Sequence, residues 1–371
     1  MQAQGPASLI PGSYPLPRPV RRRDRRSPFA YVTFLVLNDS FVPGALMVAH
    51  ALRRQDTTGD LVCLVTPEIT RVGRRALAEL YHRVIEVERI HLPHRRAQRR
   101  QHVSFVFTRL HALRLGPDGD LGAQYERIVL LDADVLPLRR YDHLFTLPPP
   151  AGIPNERKEH FVEVDARGEQ RLPPGVRERG EWVWHDTYRD VCPHGSRIPR
   201  EITDRVLSDP TNLGINGSVL VVSPSLREFR EIMADLQSPR TRRLVTEYWE
   251  WPDQQYLTAR WSGLWTSIDA RFSGQCGYPG TRLLCGTHFA GVKPWYFRRV
   301  GNLARYARYE DFRLWYLTFV RMMESERPEL QKYPRLRTLL AQVRQLTADL
   351  RALRAPAAAR SSRRMPGRED E

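Results

Sequence analysis

The feature that most constrains the fold is an alternation of strand-like and helical segments between residues 31 and 131. The predicted strands are YVTFLVL (31–37), LVCLVT (61–66), RVIEVERI (83–90) and RIVLL (127–131). The predicted helices between them cover 43–54, 71–81 and 103–115. Alternation of this kind is typical of α/β proteins and predicts a parallel, doubly wound sheet.

Two aspartates follow the fourth predicted strand, in IVLLDADVLPL (128–138). Asp132 and Asp134 occupy alternating positions, so both carboxylates point to one side of the strand line. Ligands of α/β sheets bind beyond the carboxyl ends of the strands, which is where this pair lies. Two carboxylates there suit a hard divalent cation, although such a pair also serves as a turn or a helix cap. The pair alone leaves both interpretations open.

The regular pattern stops between residues 147 and 211, where Pro, Gly and charged residues are frequent. We expect a long irregular insertion there, and an insertion of that length usually serves a function. Regular structure resumes with the strand SVLVVS (218–223), helices at 225–236 and about 253–260, and the strand LLCGTHF (283–289). The last strand leads into HFAGVKPW, where His288 offers an imidazole and Lys293 a positive charge.

The part of the chain after about residue 301 is predicted to be helical. Spacings of three and four alternate along one apolar seam formed by Leu336, Leu339, Val343, Leu346, Leu350 and Leu353. Such a seam is a heptad pattern. We favour packing of this helix on its own domain, and a coiled coil that makes a homodimer remains the alternative.

The formal net charge is +16, and much of it lies at the two ends. Residues 1–30 carry six Arg against one Asp, and residues 351–371 carry six Arg against three acids. Pro- and Arg-rich ends favour disordered, solvated tails. Attraction to nucleic acid or to a nuclear-import partner through RRRDRR is the alternative.

Three further observations concern location. No run reaches the roughly 18 apolar residues of a membrane span, and the N-terminal segment has no apolar core typical of a secretory signal. The four cysteines show no CxxC spacing, which disfavours a disulfide framework or a structural zinc site. The sequence therefore predicts an intracellular protein, cytoplasmic or nuclear, that is not secreted.

Five segments resemble, in the same order, the glycogenin-like glycosyltransferases of family 8. YVTFLVLNDSFVPGALMVAHALR resembles the opening strand, loop and helix, and FTRLHAL with RIVLLDADVLPLRRYDHLF resembles the central region with its D-x-D motif. SVLVVSPS, WPDQQYLT and HFAGVKPW resemble later segments. The resemblance covers about residues 30–298. The form of the first loop is similar to that of members from eukaryotes and large DNA viruses.

The resemblance implies a GT-A fold, which is a Rossmann-like, mixed and mainly parallel sheet flanked by helices, here with a helical C-terminal extension. It also implies a UDP-sugar donor such as UDP-glucose, Mn²⁺ or Mg²⁺, and retention of the anomeric configuration. The expected domains are a disordered basic tail (1–29), a transferase domain (30–300), a helical region (301–355) and a disordered tail (356–371).

The resemblance also implies a set of site residues. Asp132, Asp134 and His288 would bind the metal. The implied donor-binding positions are Leu35, Leu37, Asn38, Phe41, Arg100, Arg109, Asp132, Ala133, Asp134, Asn216, Gly217, Glu250, Asp253, Gln254, Gly291 and Lys293. Arg99 is an alternative to Arg100. Phe41 replaces a family Tyr and Arg109 a family Lys, and the order Asn-Gly-Ser at 216–218 differs from the family's Asn-Ser-Gly.

Four of these residues are implied to act in catalysis. Arg109 and Lys293 would stabilise the charge that develops on the diphosphate. Asp253 would be the nucleophile of a double displacement, whereas Gln254 would lie near the anomeric carbon in a same-face attack. The family favours same-face attack.

The acceptor stays open between a protein, a glycan and a polyol, and a nucleic acid is possible but unsupported. Self-glycosylation on Tyr278 is disfavoured, because that tyrosine does not stand at the family's distance from the histidine motif. Two other functions are kept as alternatives: an idle nucleotide-sugar binder or structural protein on the same fold, and a metal-dependent nucleic-acid enzyme. The latter usually needs two metals and further carboxylates.

Overall fold

A computed structural model describes residues 26–95, 101–156, 163–165, 167–171, 188, 191–278, 280–296 and 300–354. Within these ranges the strands are β1 (Phe29–Leu35), β2 (Asp60–Val65), β3 (Arg83–Glu86), β4 (Arg127–Leu131), β5 (Val135–Pro137), β6 (Ala151–Pro154), β7 (Glu163–Val164), β8 (Gln170–Arg171), β9 (Ile215–Val222), β10 (Thr266–Ser267), β11 (Gly274–Gln275) and β12 (Gly286–His288).

The α-helices in the same ranges are α1 (Val42–Arg54), α2 (Arg71–Ala78), α3 (Arg200–Ser208), α4 (Leu226–Asp235), α5 (Pro239–Arg243), α6 (Pro252–Arg260), α7 (Val300–Tyr306), α8 (Glu310–Arg321) and α9 (Pro334–Arg354). Shorter 3-10 and π turns cover Asp39–Phe41, Asp142–Thr146, Leu244–Tyr248, Ala270–Ser273, Thr281–Leu283, Met322–Glu326 and Pro328–Lys332. Gln101–Leu115 forms a longer helix of the 3-10 type.

Seven strands form the central sheet in the order β10–β6–β9–β4–β1–β2–β3. β1 runs parallel to both β2 and β4, β2 runs parallel to β3, and β6 runs parallel to β10. β9 is antiparallel to its neighbours β4 and β6. The predicted fold class, a mixed and mainly parallel sheet flanked by helices with a helical C-terminal extension, is confirmed.

Both faces of this sheet are buried, which is why its strands are continuous apolar runs. In β1, Tyr31 and Leu35 point into one core, shared with α1, α2 and the C-terminal helices. Ala30 and Val32 point into a second core on the opposite face, shared with the helix Gln101–Leu115 and with α6. Side chains of a strand alternate between its two faces, so one strand supplies both cores.

The prediction that residues 147–211 are irregular is wrong for several parts of that segment, including the antiparallel pair of short strands β7 and β8. Ala151–Pro154 is β6, a strand of the central sheet, and Arg200–Ser208 is α3. The prediction of a strand over 283–289 holds only for Gly286–His288, since Thr281–Leu283 is a short helical turn. The predictions for Arg99, Arg100, most of the two tails and much of the insertion lie outside the described residues.

The C-terminal helices pack on the domain that precedes them. Leu336, Leu339, Val343 and Leu346 are buried in the same core as α1. The predicted apolar seam is therefore covered by its own chain along these residues. No helix in the described ranges is both long and apolar enough to cross a membrane.

Candidate active site

A small second sheet brings the distant motifs together. β5, which follows the two aspartates, pairs antiparallel with β12 so that Val135 lies opposite His288. The amide of Phe289 donates to the carbonyl of Asp134 at 2.9 Å. The amide of Asp132 donates to the carbonyl of Ser218 at 3.0 Å, which ties the aspartate loop to β9.

This pairing creates a group of three possible metal ligands from Asp132, Asp134 and His288. One ligand atom from each residue lies within 4.8 Å of the other two. His288 Nε2 lies 3.4 Å from an Asp134 carboxylate oxygen, and His288 Nδ1 is buried without a hydrogen-bond partner. Two carboxylates and an imidazole are ligands that Mn²⁺ accepts. The residues present therefore fit a divalent cation.

Arg109 reaches the same cleft from the helix Gln101–Leu115. Its guanidinium hydrogen-bonds the Asp132 carboxylate and lies 3.1 Å from an Asp253 oxygen. It also donates to the carbonyl of Gly217 at 3.0 Å and lies over the ring of Phe34. The Arg109 side chain is thus fixed by partners on four different segments, and it links the aspartate loop to the start of α6.

Lys293 contacts the second aspartate of the pair, Asp134. Its ammonium group hydrogen-bonds the Asp134 carboxylate and donates to the carbonyl of Phe289 at 2.7 Å. The same group lies 5.8 Å from the centre of the Phe41 ring. Of the two aspartates in the D-x-D motif, Asp132 therefore pairs with Arg109 and Asp134 with Lys293.

These charges shift the ionisation of the cleft in different directions. Burial raises the pKa of Asp132 to about 6, against the opposing charge of Arg109. Burial also acts to raise the pKa of Asp134, but Lys293 and His288 together outweigh it and hold that pKa below its ordinary value. Asp134 is therefore the more strongly acidic of the two carboxyls, and a cation would find it already ionised.

Gln254 is fixed at both ends of its side-chain amide. Its oxygen accepts from the amide of Gly217 at 2.9 Å, and its nitrogen donates to the carbonyl of Leu213. Asn216 uses its side-chain oxygen to accept from the Ser218 amide at 2.8 Å. The bend at Asn216 and Gly217 in β9 thus joins α6 to the cleft.

The loop after β1 forms one wall. Leu37 adopts a left-handed backbone (φ 71°), and the side chain of Asn38 accepts from the Ser40 amide at 2.9 Å. Phe41 then makes edge contacts with the rings of Trp295 and Tyr296, at centroid distances of 5.7 and 5.6 Å. The first loop and the HFAGVKPW segment therefore share one aromatic wall.

The predicted residues divide into those that the fold brings into contact and those that it does not. The contacting group around the aspartates is Asp132, Asp134, His288, Lys293, Arg109, Asp253, Gln254 and Gly217. Leu35 is buried in the sheet core, and Glu250 lies in the segment before α6. Gly291 has φ 83° with open space where a side chain would be. Tyr278 is only 1% exposed, so its hydroxyl cannot accept a sugar in this fold.

Three residues of the wall formed by the loop after β1 and the HFAGVKPW segment were not among the predicted site residues: Trp295, Tyr296 and Ser40. Tyr296 is 45% exposed, and its hydroxyl donates to Ser40 Oγ at 3.0 Å. The bond joins the loop after β1 to the segment after Lys293. Its signal in the sequence is weak, because an exposed Tyr and a Ser separated by 256 positions show no pattern.

Comparison with known proteins links the chain to two groups. An uncharacterized protein of Acanthamoeba polyphaga mimivirus is 26% identical over 253 residues, which are 68% of this chain and 73% of that protein. Glycogenin-1 of Caenorhabditis elegans is 36% identical over 122 residues, which are 32% of this chain and 27% of that protein. No family model matches. The predicted resemblance to glycogenins is confirmed for that part of the chain.

Among solved structures, a galactosyltransferase in complex with donor and acceptor sugar analogs is similar at a TM-score of 0.45 and 14% identity. The match covers 72% of this chain and 90% of that chain.

Proposed function

We propose that this relative of the glycogenins is a glycosyltransferase that moves a hexose from a UDP-sugar, such as UDP-glucose, to an acceptor with retention of configuration. The observation that carries the proposal is the convergence of Asp132, Asp134 and His288 within 4.8 Å, flanked by the buried side chain of Arg109 and the partly buried side chain of Lys293. A cation site beside Arg and Lys suits a diphosphate.

A bound Mn²⁺ or Mg²⁺ would neutralise charge on the diphosphate as the glycosidic bond breaks. The ligands on this chain would be the carboxylates of Asp132 and Asp134 and the imidazole of His288. Ionisation of Asp134 is already favoured by Lys293, so this ligand needs little proton release.

The two basic residues have different roles in this proposal. Lys293 contacts the Asp134 carboxylate and one backbone carbonyl. Its flexible side chain lets the ammonium group turn to the donor phosphates. Arg109 is held by Asp132, Asp253 and Gly217 at once. We assign to Arg109 the orientation of both acids, with electrostatic stabilisation of the diphosphate as a second contribution.

The rigid amide of Gln254 favours same-face attack over double displacement. Its two hydrogen bonds to backbone atoms fix it beside Gly217 and leave it placed to orient a sugar. Asp253, the alternative nucleophile, lies against Arg109, and a carboxylate that is paired with a guanidinium is a weaker nucleophile.

The donor's nucleoside would lie along the wall formed by the loop after β1. There Phe41 offers a ring face to stack on uracil, while Leu37, Asn38 and Ala133 offer backbone groups. Glu250, Asn216 and Gly291 would border the sugar and the diphosphate. The acceptor is a protein, a glycan or a polyol.

The compartment that fits this enzyme is intracellular, cytoplasmic or nuclear. All four cysteines carry free, buried thiols: Cys63, Cys192, Cys276 and Cys285. A reducing environment preserves such thiols.

Release of UDP tests the proposal. Purified protein is incubated with a panel of UDP-sugars and Mn²⁺, and UDP is quantified for the wild type, Asp134→Asn and Asp120→Asn. Asp120 pairs with Arg114 on the surface, so its variant is a control for loss of one carboxylate outside the cleft. We expect EDTA to abolish release and Asp134→Asn to lower it by about a hundredfold or more, because a metal contributes several kcal/mol.

Two outcomes contradict the proposal. One is a wild-type protein that releases no UDP from any donor with either Mn²⁺ or Mg²⁺. The other is equal loss of activity in Asp134→Asn and Asp120→Asn, which would separate the activity from the cleft.

A further inference from the structure

One fully buried carboxylate lies outside the cleft and has contacts that the proposed chemistry does not explain. Asp311, in the first turn of α8, is 0% exposed. A buried carboxylate is costly unless donors surround it. Asp311 lies in the C-terminal helical extension, more than a hundred positions after Asp134. Its hydrogen-bond partners therefore show which part of the preceding domain this extension contacts.

Two of those partners lie close to His288 along the backbone, one on its own strand and one just after the neighbouring strand β11. The Asp311 carboxylate accepts from the amide of Gly277 at 2.7 Å and from the hydroxyl of Thr287 at 3.2 Å. Thr287 is the residue before His288 in β12. Gly277 follows Cys276, whose amide donates to the carbonyl of His288 at 3.0 Å. The third donor is the amide of Phe312, in its own helix, at 2.8 Å.

Asp311 therefore braces the two backbone segments that hold His288. One segment is β12 itself, and the other is the turn after β11, the parallel neighbour of β12. β12 has only three residues, so few ladder hydrogen bonds fix its position. A carboxylate that joins both segments supplies the restraint that such a short strand lacks.

We propose that Asp311 is a positioning residue for the metal site: it fixes β12 so that the His288 imidazole faces Asp134. This inference rests on the proposed metal-dependent function. It assigns part of the C-terminal helical extension to the active site, because α8 supplies the brace.

The neighbouring residue provides a matched control. Glu310, in the same turn of α8, accepts from the amide and hydroxyl of Thr281 at 3.2 and 2.6 Å. It thus tethers α8 with a similar number of hydrogen bonds, but to the turn Thr281–Leu283 rather than to β12. Glu310→Gln tests the loss of a helix tether, whereas Asp311→Asn tests the loss of the brace.

The experiment measures the Mn²⁺ dissociation constant by electron paramagnetic resonance for the wild type, Asp311→Asn, Glu310→Gln and Thr287→Val. We expect Asp311→Asn to weaken Mn²⁺ binding by about tenfold to a hundredfold, as residues that orient metal ligands do. Glu310→Gln should bind Mn²⁺ within about twofold of wild type. Saturating Mn²⁺ should restore most of kcat to Asp311→Asn, because the ligands themselves remain.

Thr287→Val keeps the experiment decisive if Asp311→Asn does not fold. It removes only the hydroxyl that joins β12 to Asp311, at nearly constant volume, and should weaken Mn²⁺ binding severalfold. Equal Mn²⁺ affinity in the wild type and in every folded variant at these two positions would overturn the inference while leaving the proposed function intact. A wild type that binds no Mn²⁺ would overturn the metal-dependent function and this inference with it.

Discussion

At the scale of single residues, the cleft depends on a position with no side chain. The carbonyl of Gly217 accepts from Arg109, and its amide donates to Gln254. A Cβ added to Gly217 would lie 2.4 Å from the nearest Arg109 guanidinium nitrogen. Arg109 cannot move away freely, because Asp132 and Asp253 hold its other contacts. The residue serves here for close approach rather than for an unusual backbone angle.

Substitution of Gly217 by Ala should therefore act on the chemistry more than on the fold. We expect kcat/KM for the donor to fall by about tenfold or more, since displacing Arg109 disturbs both acids, with a cost in stability of about 1–3 kcal/mol from overpacking. Steady-state kinetics and urea unfolding measure the two effects. Gly280→Ala is the control, because its φ of 75° strains an added side chain while nothing lies within 4 Å of the new Cβ. Unchanged kinetics in Gly217→Ala would contradict this role.

The motif order shared with the glycogenins was enough to predict that three candidate metal ligands lie together. Asp132, Asp134 and His288 are brought together as expected. The pairing of Arg109 with two carboxylates was not predictable, because the sequence around a basic residue does not indicate which acidic residues it will contact in the fold. Asp311 was missed for a related reason: an isolated Asp in an amphipathic helix has the pattern of a solvated surface residue.

At the scale of elements, the sequence pattern of α9 is compatible with two structures, a helix packed on its own domain and a coiled coil between subunits. Its seam has the spacing of a coiled coil. Along residues 336–346 the seam is buried against the chain's own core, in contact with the side of the sheet that carries α1. A heptad pattern specifies an apolar stripe and does not specify what covers it. Whether the stripe packs on its own chain or on a second chain depends on the apolar surface that the rest of the chain offers.

Leu346→Ala should consequently destabilise a monomer. Leu346 is 2% exposed, and removal of a buried leucine side chain costs about 2–5 kcal/mol. We expect that loss in urea unfolding, independent of protein concentration, and no change of mass in light scattering. Gln345→Ala, an exposed neighbour on the same helix, should change stability by less than about 0.5 kcal/mol. A wild-type dimer that dissociates on Leu346→Ala would instead favour the intersubunit coiled coil.

The central sheet contains the element that was hardest to predict. β6 has four residues, Ala-Gly-Ile-Pro, in a Pro-rich segment, and Pro and Gly are poor strand formers. It is a strand because β9 offers it an antiparallel partner about sixty positions later, while β10 pairs on its other side. The long strands β1, β2 and β4 were predicted correctly because their apolar runs are local signals.

At the scale of the whole molecule, buried groups with opposite shifts set the response to pH. Burial, and then the neighbouring His143, lowers the pKa of His194 to about 4. Burial likewise lowers the pKa of His50 to about 4, although a Glu326 carboxylate lies 3.0 Å away. Burial raises the pKa of Asp311 to about 6.

The direction in which His194 changes the stability of the fold with pH follows from its contacts. The amide of Asp269 donates to Nδ1 of His194 at 2.9 Å, which requires that nitrogen to be unprotonated. Because the pKa in the folded state is lower than the ordinary value of about 6.5, the neutral ring stabilises the fold above pH 6.5. That stability is lost as the pH falls towards 4. The raised pKa of Asp311 has the opposite effect on the pH dependence of stability. The stability that protonated Asp311 contributes to the fold is present at low pH and is lost as the pH rises through 6.

His194→Gln should therefore flatten the acid side of the stability profile. Between pH 6 and 4.5 we expect the slope of the unfolding free energy to drop by about 1.4 kcal/mol per pH unit relative to wild type, since one fewer proton is taken up on unfolding. Asp311→Asn should change the slope in the opposite direction. Urea titrations at four pH values measure both, and a slope in His194→Gln equal to that of wild type would refute the assignment.

The antiparallel pairing of β5 with β12 has a consequence for the order of events during protein synthesis. It joins residues that are about 150 positions apart, and the carboxylate that braces the pair comes later still. Contacts of such long sequence separation form late in folding. While the ribosome is still making the C-terminal third, the first strands and α1 can already assemble, but His288 has not yet joined the two aspartates. If the proposed metal-dependent function holds, a nascent chain reaches its full cation affinity only after α8 has been synthesised and has packed.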